Sequence, residues 1–304
     1  MRWDDFRRSD NVEDDREGGN FGAPGGGFGL PIGRGGLGIG TVIVLGLIGW
    51  AFGIDPSILI GGAEILNGGV QYQQPYHPAP NAGAPTDRTG QFVAAVLGNT
   101  EDVWSEIFSA SGRQYRPAPL RLYRGGEQSG CGFAQSAMGP FYCPNDQRIY
   151  LDTSFFREME RRFHGCSGQA CEFAEAYVIA HEVGHHVQDQ LGILSKATTQ
   201  QRAAGGKAAA NAIQVRIELQ ADCFAGIWAN RSEQRWKFID PGDVEAALQT
   251  AAAIGDDRLQ KQSQGYVVPD AFTHGTSAQR QRWFSNGFKS GKVSACDTFA
   301  AAQL

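Results

Sequence analysis

From residue 89 onward, apolar positions recur with a helical period. Phe92, Val93, Val96, Leu97, Val103, Trp104 and Ile107 share one broad face, which predicts an amphipathic helix over residues 89–111. Beyond the breakers Pro117 and Pro119, Leu120, Leu122 and Tyr123 predict a strand. Residues 133–138 and 141–152 predict further, antiparallel strands, with turns at Gly139-Pro140 and Asn145-Asp146. A short helix follows over residues 154–163. Helices then dominate. One runs from near Cys171 to about Gln190 and stops at Gly192, and a second spans residues 208–230 after the Gly205-Gly206 break. A third begins with Asp240 as N-cap and Pro241 at the first helical position, and continues to Ile254. The last covers residues 277–288, with Trp283 and Phe284 turned inward. Strands first and helices later imply an α+β domain with segregated layers.

The first 88 residues follow a different pattern. Residues 1–34 are charged and Gly-rich, a composition expected to stay disordered. Residues 35–54 then run without a charge, the length that a bilayer-spanning helix requires. Arg2, Arg7, Arg8, Arg16 and Arg34 precede this run, and no Lys or Arg follows it until Arg88. The expectation is a single-pass anchor in a bacterial inner membrane, N-terminus cytoplasmic and the rest extracytoplasmic. Residues 55–88, rich in Gly, Pro, Gln and Asn, read as a tether. The domain itself is then residues 89–297, with a tail over 298–304. A core helix at 35–54, and hence a cytoplasmic protein, is the competing reading.

Charge narrows the partners. The net charge is −5 and no Lys/Arg stripe is present, which argues against nucleic acid. The six cysteines suit an oxidising compartment. Proximity suggests pairing Cys131 with Cys143, Cys166 with Cys171, and Cys223 with Cys296.

The chemistry centres on His181-Glu182-Val183-Gly184-His185, an H-E-x-x-H pattern. On a helix His181 and His185 lie on one face and can hold one ion, while Glu182 sits beside it as a general base. A catalytic zinc takes three protein ligands and keeps one position open. Glu218, with Asp222 one turn further on the next long helix, is the candidate third ligand. Asp222 would accept the N–H of a ligand histidine. The helix around them is largely apolar (Ile213, Ile217, Phe224, Ile227, Trp228), so unpaired carboxylates there would be costly. No histidine follows in the x-x-G-x-x-H position of a metzincin, which favours a Glu ligand. His186 points about 100° away from His185 and reads as structural or supporting. His164 and His77 read as surface residues. His274, with Tyr266 as its rival, is a candidate oxyanion stabiliser.

The blocks CGFAQSAMGPFYCPNDQRIYLD, AHEVGHHVQ, ELQADCFAGIWA and HGTSAQRQRWFSNGF, with the N-terminal MRWDDFRRSDNVEDDR, resemble the bacterial neutral zinc metallopeptidases, a membrane-anchored family of zincin type. The resemblance spans almost the whole chain. It implies one Zn2+ bound by His181, His185 and Glu218, Glu182 as general base, and hydrolysis of polypeptides by a zinc-activated water. The expected fold is therefore a zincin-like α+β domain with an active-site helix and antiparallel strands, preceded by one transmembrane helix. By analogy with gluzincins, residues 134–141 would form the strand edge that pairs with substrate. A non-catalytic zinc-binding scaffold or peptide-binding module on the same fold is the alternative.

Overall fold

The apolar face of residues 92–108 is met by helix α1 (Arg88–Ala110), capped by Asp87, whose carboxylate accepts from the Gly90 amide. In this computed structural model the described residues are 1–16, 83–135, 139–163 and 169–304. Met1–Asn20 and Pro78–Leu304 form one unit, while Phe21–His77 group separately and lie outside the described residues.

The described residues hold six strands, in chain order: β1 (Val12–Asp14), β2 (Leu120–Tyr123), β3 (Gly126–Ser129), β4 (Gly132–Gln135), β5 (Phe141–Cys143) and β6 (Arg148–Asp152). One sheet has the order β1-β2-β6-β5, and β3 and β4 make a separate antiparallel hairpin. The expectation of antiparallel strands holds for β5–β6 and β3–β4 only. β1–β2 and β2–β6 are parallel, Leu120 lying opposite both Val12 and Ile149. Parallel neighbours need long connections, and α1 lies between β1 and β2 in the chain.

The remaining α-helices among the described residues are α2 (Ser154–Phe163), α3 (Gln169–Gln190), α4 (Ile193–Ala203), α5 (Lys207–Trp236), α6 (Asp243–Ala253), α7 (Asp256–Gln264) and α8 (Ser277–Ser290). Helices α4 and α7 and strand β3 are additions to the sequence reading. Their segments are polar, so hydrophobic periodicity carries little signal there. Helix α6 starts after Gly242, which holds φ 94°, and not at Asp240-Pro241. The expected tail at 298–304 is anchored, with Thr298 buried and its hydroxyl donating to the Arg216 carbonyl at 2.7 Å. Cys131–Cys143 and Cys223–Cys296 are bonded as expected; Cys166 lies outside the described residues.

The N-terminus departs most from expectation. Residues 1–16 are folded into the core and are not part of a disordered tail; residues 17–34 lie outside the described residues, as do the segment 35–54 expected as an anchor and most of the segment 55–88 expected as a tether. Among the described residues, no helix is long and apolar enough to cross a membrane. Met1, Trp3, Phe6 and Val12 are buried, and Trp3 packs edge-on against Phe92 at 5.4 Å. The charges that suggested disorder are paired at long range. Arg7 bridges Glu101 at 2.7 Å and Asp102 at 3.0 Å, and Arg16 bridges Asp14 at 2.5 Å and Asp87 at 2.7 Å.

Trp3→Ala removes a fully packed aromatic and should destabilise the protein by about 3–5 kcal/mol, read by chemical denaturation. A change below about 0.5 kcal/mol, as for a surface position, would contradict the packed N-terminus.

Candidate metal centre

Helix α3 carries His181, Glu182 and His185, and α5 carries Glu218 and Asp222. Their close approach depends on Gly184. A Cβ there would lie 3.1 Å from both the Cα and the carbonyl oxygen of Ala221, so the H-E-x-x-H glycine and Ala221 let the two backbones touch. One ligand atom each from His181, His185 and Glu218 can be chosen so that all lie within 4.8 Å of one another. Glu218 Oε2 is 3.2 Å from His181 Nε2 and 3.5 Å from His185 Nε2. Ligands about 2.0–2.2 Å from a tetrahedral zinc stand about 3.3–3.6 Å apart, so the two carboxylate–imidazole separations fit the ion, while the 4.8 Å span of the three atoms is wider.

Each of the three side chains is held from behind. Asp222 Oδ1 accepts from His181 Nδ1 at 2.8 Å, which leaves Nε2 facing Glu218. Gln188 Oε1 does the same for His185 Nδ1 at 2.9 Å. The Gln188 amide then donates to the Ile217 carbonyl at 2.8 Å and to Gln220 Oε1 at 3.0 Å. Gln214 donates to Glu218 Oε1 at 2.8 Å. Gln188 and Gln214 were not anticipated, although each lies one helical turn from the ligand it supports (i+3 and i−4).

Burial sets the electrostatics. It disfavours a charged His181, while the Asp222 and Glu218 carboxylates outweigh it and push the imidazole upward. Burial likewise opposes a charge on Glu218, yet His185 and His181 hold its carboxyl well below the ordinary range. Glu182 behaves oppositely: burial raises its pKa, and the histidines only partly offset this. The backbone of Tyr142, on β5, acts on the Glu182 carboxyl and helps to lower its pKa, and β5 packs against α3. This puts β5 against the general-base candidate. Of the expected substrate edge at 134–141, residues 134 and 135 belong instead to the β3–β4 hairpin, and 136–138 lie outside the described residues.

His186 stays out of the triad. Its Nε2 donates to the Arg116 carbonyl at 2.7 Å, and its Nδ1 is 3.1 Å from the Tyr142 hydroxyl, a structural role. His274 lies on the loop before α8. The amides of Thr273, His274 and Gly275 all donate to Asp256 Oδ2, at 2.7, 2.6 and 3.0 Å. His274 Nδ1 is 3.4 Å from Asp256 Oδ1, and its charge is felt by Glu218. Tyr266 is largely exposed. His164 and His77 lie outside the described residues.

Fold and donor set together define an α+β protein in which His181, His185 and Glu218, carried on two packed helices, could hold a metal ion. The chain belongs to the family described as "Putative neutral zinc metallopeptidase", whose profile matches residues 1–299. It is 46% identical over 299 residues to "Uncharacterized protein YpfJ" of Escherichia coli (strain K12), covering 98% of this chain and 99% of that protein. It is 42% identical over 258 residues to "Uncharacterized protein Rv2575" of Mycobacterium tuberculosis (strain ATCC 25618 / H37Rv), covering 78% and 84% respectively. No solved structure matches the chain.

Glu218→Ala leaves two protein ligands and should strip zinc from the protein on dialysis. Full occupancy by metal analysis would rule out Glu218 as a ligand.

Proposed function

We propose that the protein is a zinc-dependent endopeptidase acting on polypeptides in an oxidising, extracytoplasmic compartment. The observation that carries this is the placement of Glu182: buried next to His181 in the H-E-x-x-H run, coupled electrostatically to His181, His185 and Glu218, and not itself one of the three candidate ligands. A purely structural zinc site has no use for a fourth, non-ligating carboxylate.

Zinc, when bound by the triad, supplies Lewis acidity toward a water and the scissile carbonyl. Glu182 takes a proton from the attacking water and returns it to the leaving amine. Its raised pKa suits a group that must give the proton back. His274, whose Nδ1 lies 3.4 Å from Asp256 Oδ1 and whose charge acts on Glu218, is the proposed group to steady a developing oxyanion. Strand β5 is an edge of the sheet and pairs with β6 only, among the described residues, so it can receive an extended peptide. A parallel sheet with one antiparallel edge strand beside the H-E-x-x-H helix supports a zincin-type arrangement. The two disulfides support the oxidising compartment.

Glu182→Gln in the full-length protein should retain zinc and lose peptide hydrolysis by at least about 100-fold. Undiminished cleavage of casein or a peptide library by the zinc-loaded variant would sink the mechanism. Zinc binding without cleavage by the unaltered protein would favour the scaffold reading.

A further inference from the structure

Behind His181 lies a cluster that the reaction scheme does not use. Asp222 is fully buried, and its carboxylate is saturated from two other helices. Oδ1 accepts from His181 Nδ1 at 2.8 Å, from the Tyr177 hydroxyl at 2.6 Å and from Arg280 Nη2 at 2.8 Å. Oδ2 accepts from Arg280 Nε at 2.8 Å. Arg280 is only 3% exposed and also donates to the Tyr177 hydroxyl at 3.1 Å. It reaches the site from α8, which lies along α5.

We propose that Arg280 is a positioning residue for the metal centre, acting through Asp222 on His181. A guanidinium fork grips both carboxylate oxygens in one plane, so Asp222 cannot rotate away from the imidazole. The fork also keeps Asp222 anionic and accepting. His181 must therefore carry its proton on Nδ1 and offer the Nε2 lone pair to the ion. Lysine could supply the charge but not the planar two-point hold. Tyr177 adds a third donor to the same oxygen. This assignment rests on the zinc reading of the triad but not on peptidase activity.

The test is a double-mutant cycle on full-length protein, reading zinc affinity by competition with a chromogenic chelator. Arg280→Met should weaken zinc about 10–100-fold, as loss of an outer partner commonly does, and Tyr177→Phe less. In an Asp222→Asn background the further loss on Arg280→Met should shrink below about threefold, because the path through Asp222 is already broken. Should Arg280→Met not fold, Arg280→Lys runs the same cycle with the charge kept. A folded Arg280 variant within twofold of the unaltered protein overturns the proposal, as does an equal loss in the Asp222→Asn background. If the unaltered protein binds zinc but cleaves no peptide, the peptidase reading fails and this one stands.

A second, independent observation concerns topology. The Asp14 amide donates to the Gly83 carbonyl at 3.1 Å, and Arg16 binds Asp87 at 2.7 Å. Chain leaving at Arg16 and chain returning at Gly83 are thus joined, and residues 1–16 share the core with the metal-centre helices. We infer that residues 1–16 and residues 83–304 face the same side of any bilayer that the protein meets. Residues 1–16 and the metal centre then lie on the same side, in contrast to the single-pass arrangement that the charge pattern favours.

Asp5→Cys and Lys261→Cys, both at exposed positions, test this with a membrane-impermeant maleimide on intact spheroplasts and on lysed ones. The inference requires that the two positions label alike before lysis. One reacting while the other is protected until lysis would overturn it.

Discussion

The fully buried carboxylate of Asp222 is the constraint around which the centre is organised. An ionised carboxylate out of water is tolerated only when its lone pairs are filled and its charge is matched. Here one donor comes from the metal-ligand helix as His181 and another as Tyr177, while a two-pronged cation comes from α8 as Arg280. Each donor has few alternatives in that apolar setting, so once α3 and α8 are packed on α5, His181, Tyr177 and Arg280 turn toward Asp222. Removing one member of such a buried set costs about 3–5 kcal/mol, because the remaining charge is stranded.

Helix contact makes that geometry possible. Gly184 against Ala221 sets the distance between the two ligand helices. On the other side of α5, a Cβ on Gly226 would collide with the Phe284 carbonyl, and one on Gly287 with the Cys223 carbonyl. α8 can therefore lie with its backbone against α5, near enough for Arg280 to reach Asp222 with its fork. The same residue choice explains why these stretches show weak helical amphipathicity. α5 is covered on several sides, so its apolar positions do not form a single stripe.

That last point bears on what could be read from the chain. The H-E-x-x-H triad and the Glu218/Asp222 pair were legible because helical spacing converts sequence distance directly into a shared face. Arg280 and Tyr177 were not, since nothing local distinguishes a buried arginine in SAQRQRW from the exposed basic residues near it. Its role is defined by a partner 58 residues away. Residues 1–16 misled for a related reason. Composition treats their charges as solvated, whereas Arg7 meets Glu101 and Arg121 meets Asp15 across roughly a hundred residues of chain. Only four well-separated apolar residues, Met1, Trp3, Phe6 and Val12, anchor that segment, too few to outweigh its charge in any windowed reading. The strand directions were missed with it, because β1 supplies one of the two parallel pairings.

A buried ion pair is weak evidence for stability, because its desolvation commonly offsets its attraction. The Arg280–Asp222 fork is better understood as a consequence of packing than as its cause. The Cys223–Cys296 bond joins the residue next to Asp222 to the segment that follows α8, closing a loop of 73 residues. Gln220, two residues before Asp222, donates to the Cys296 carbonyl at 2.9 Å. With the glycine contacts at 226 and 287, these features hold α8 against α5 by covalent and steric means, whether or not the charges attract. The desolvation cost is then borne by helix packing that would form anyway. What the charges add is orientation: one imidazole tautomer and one carboxylate plane. Orientation of this kind is what a metal centre needs from the layer behind its ligands.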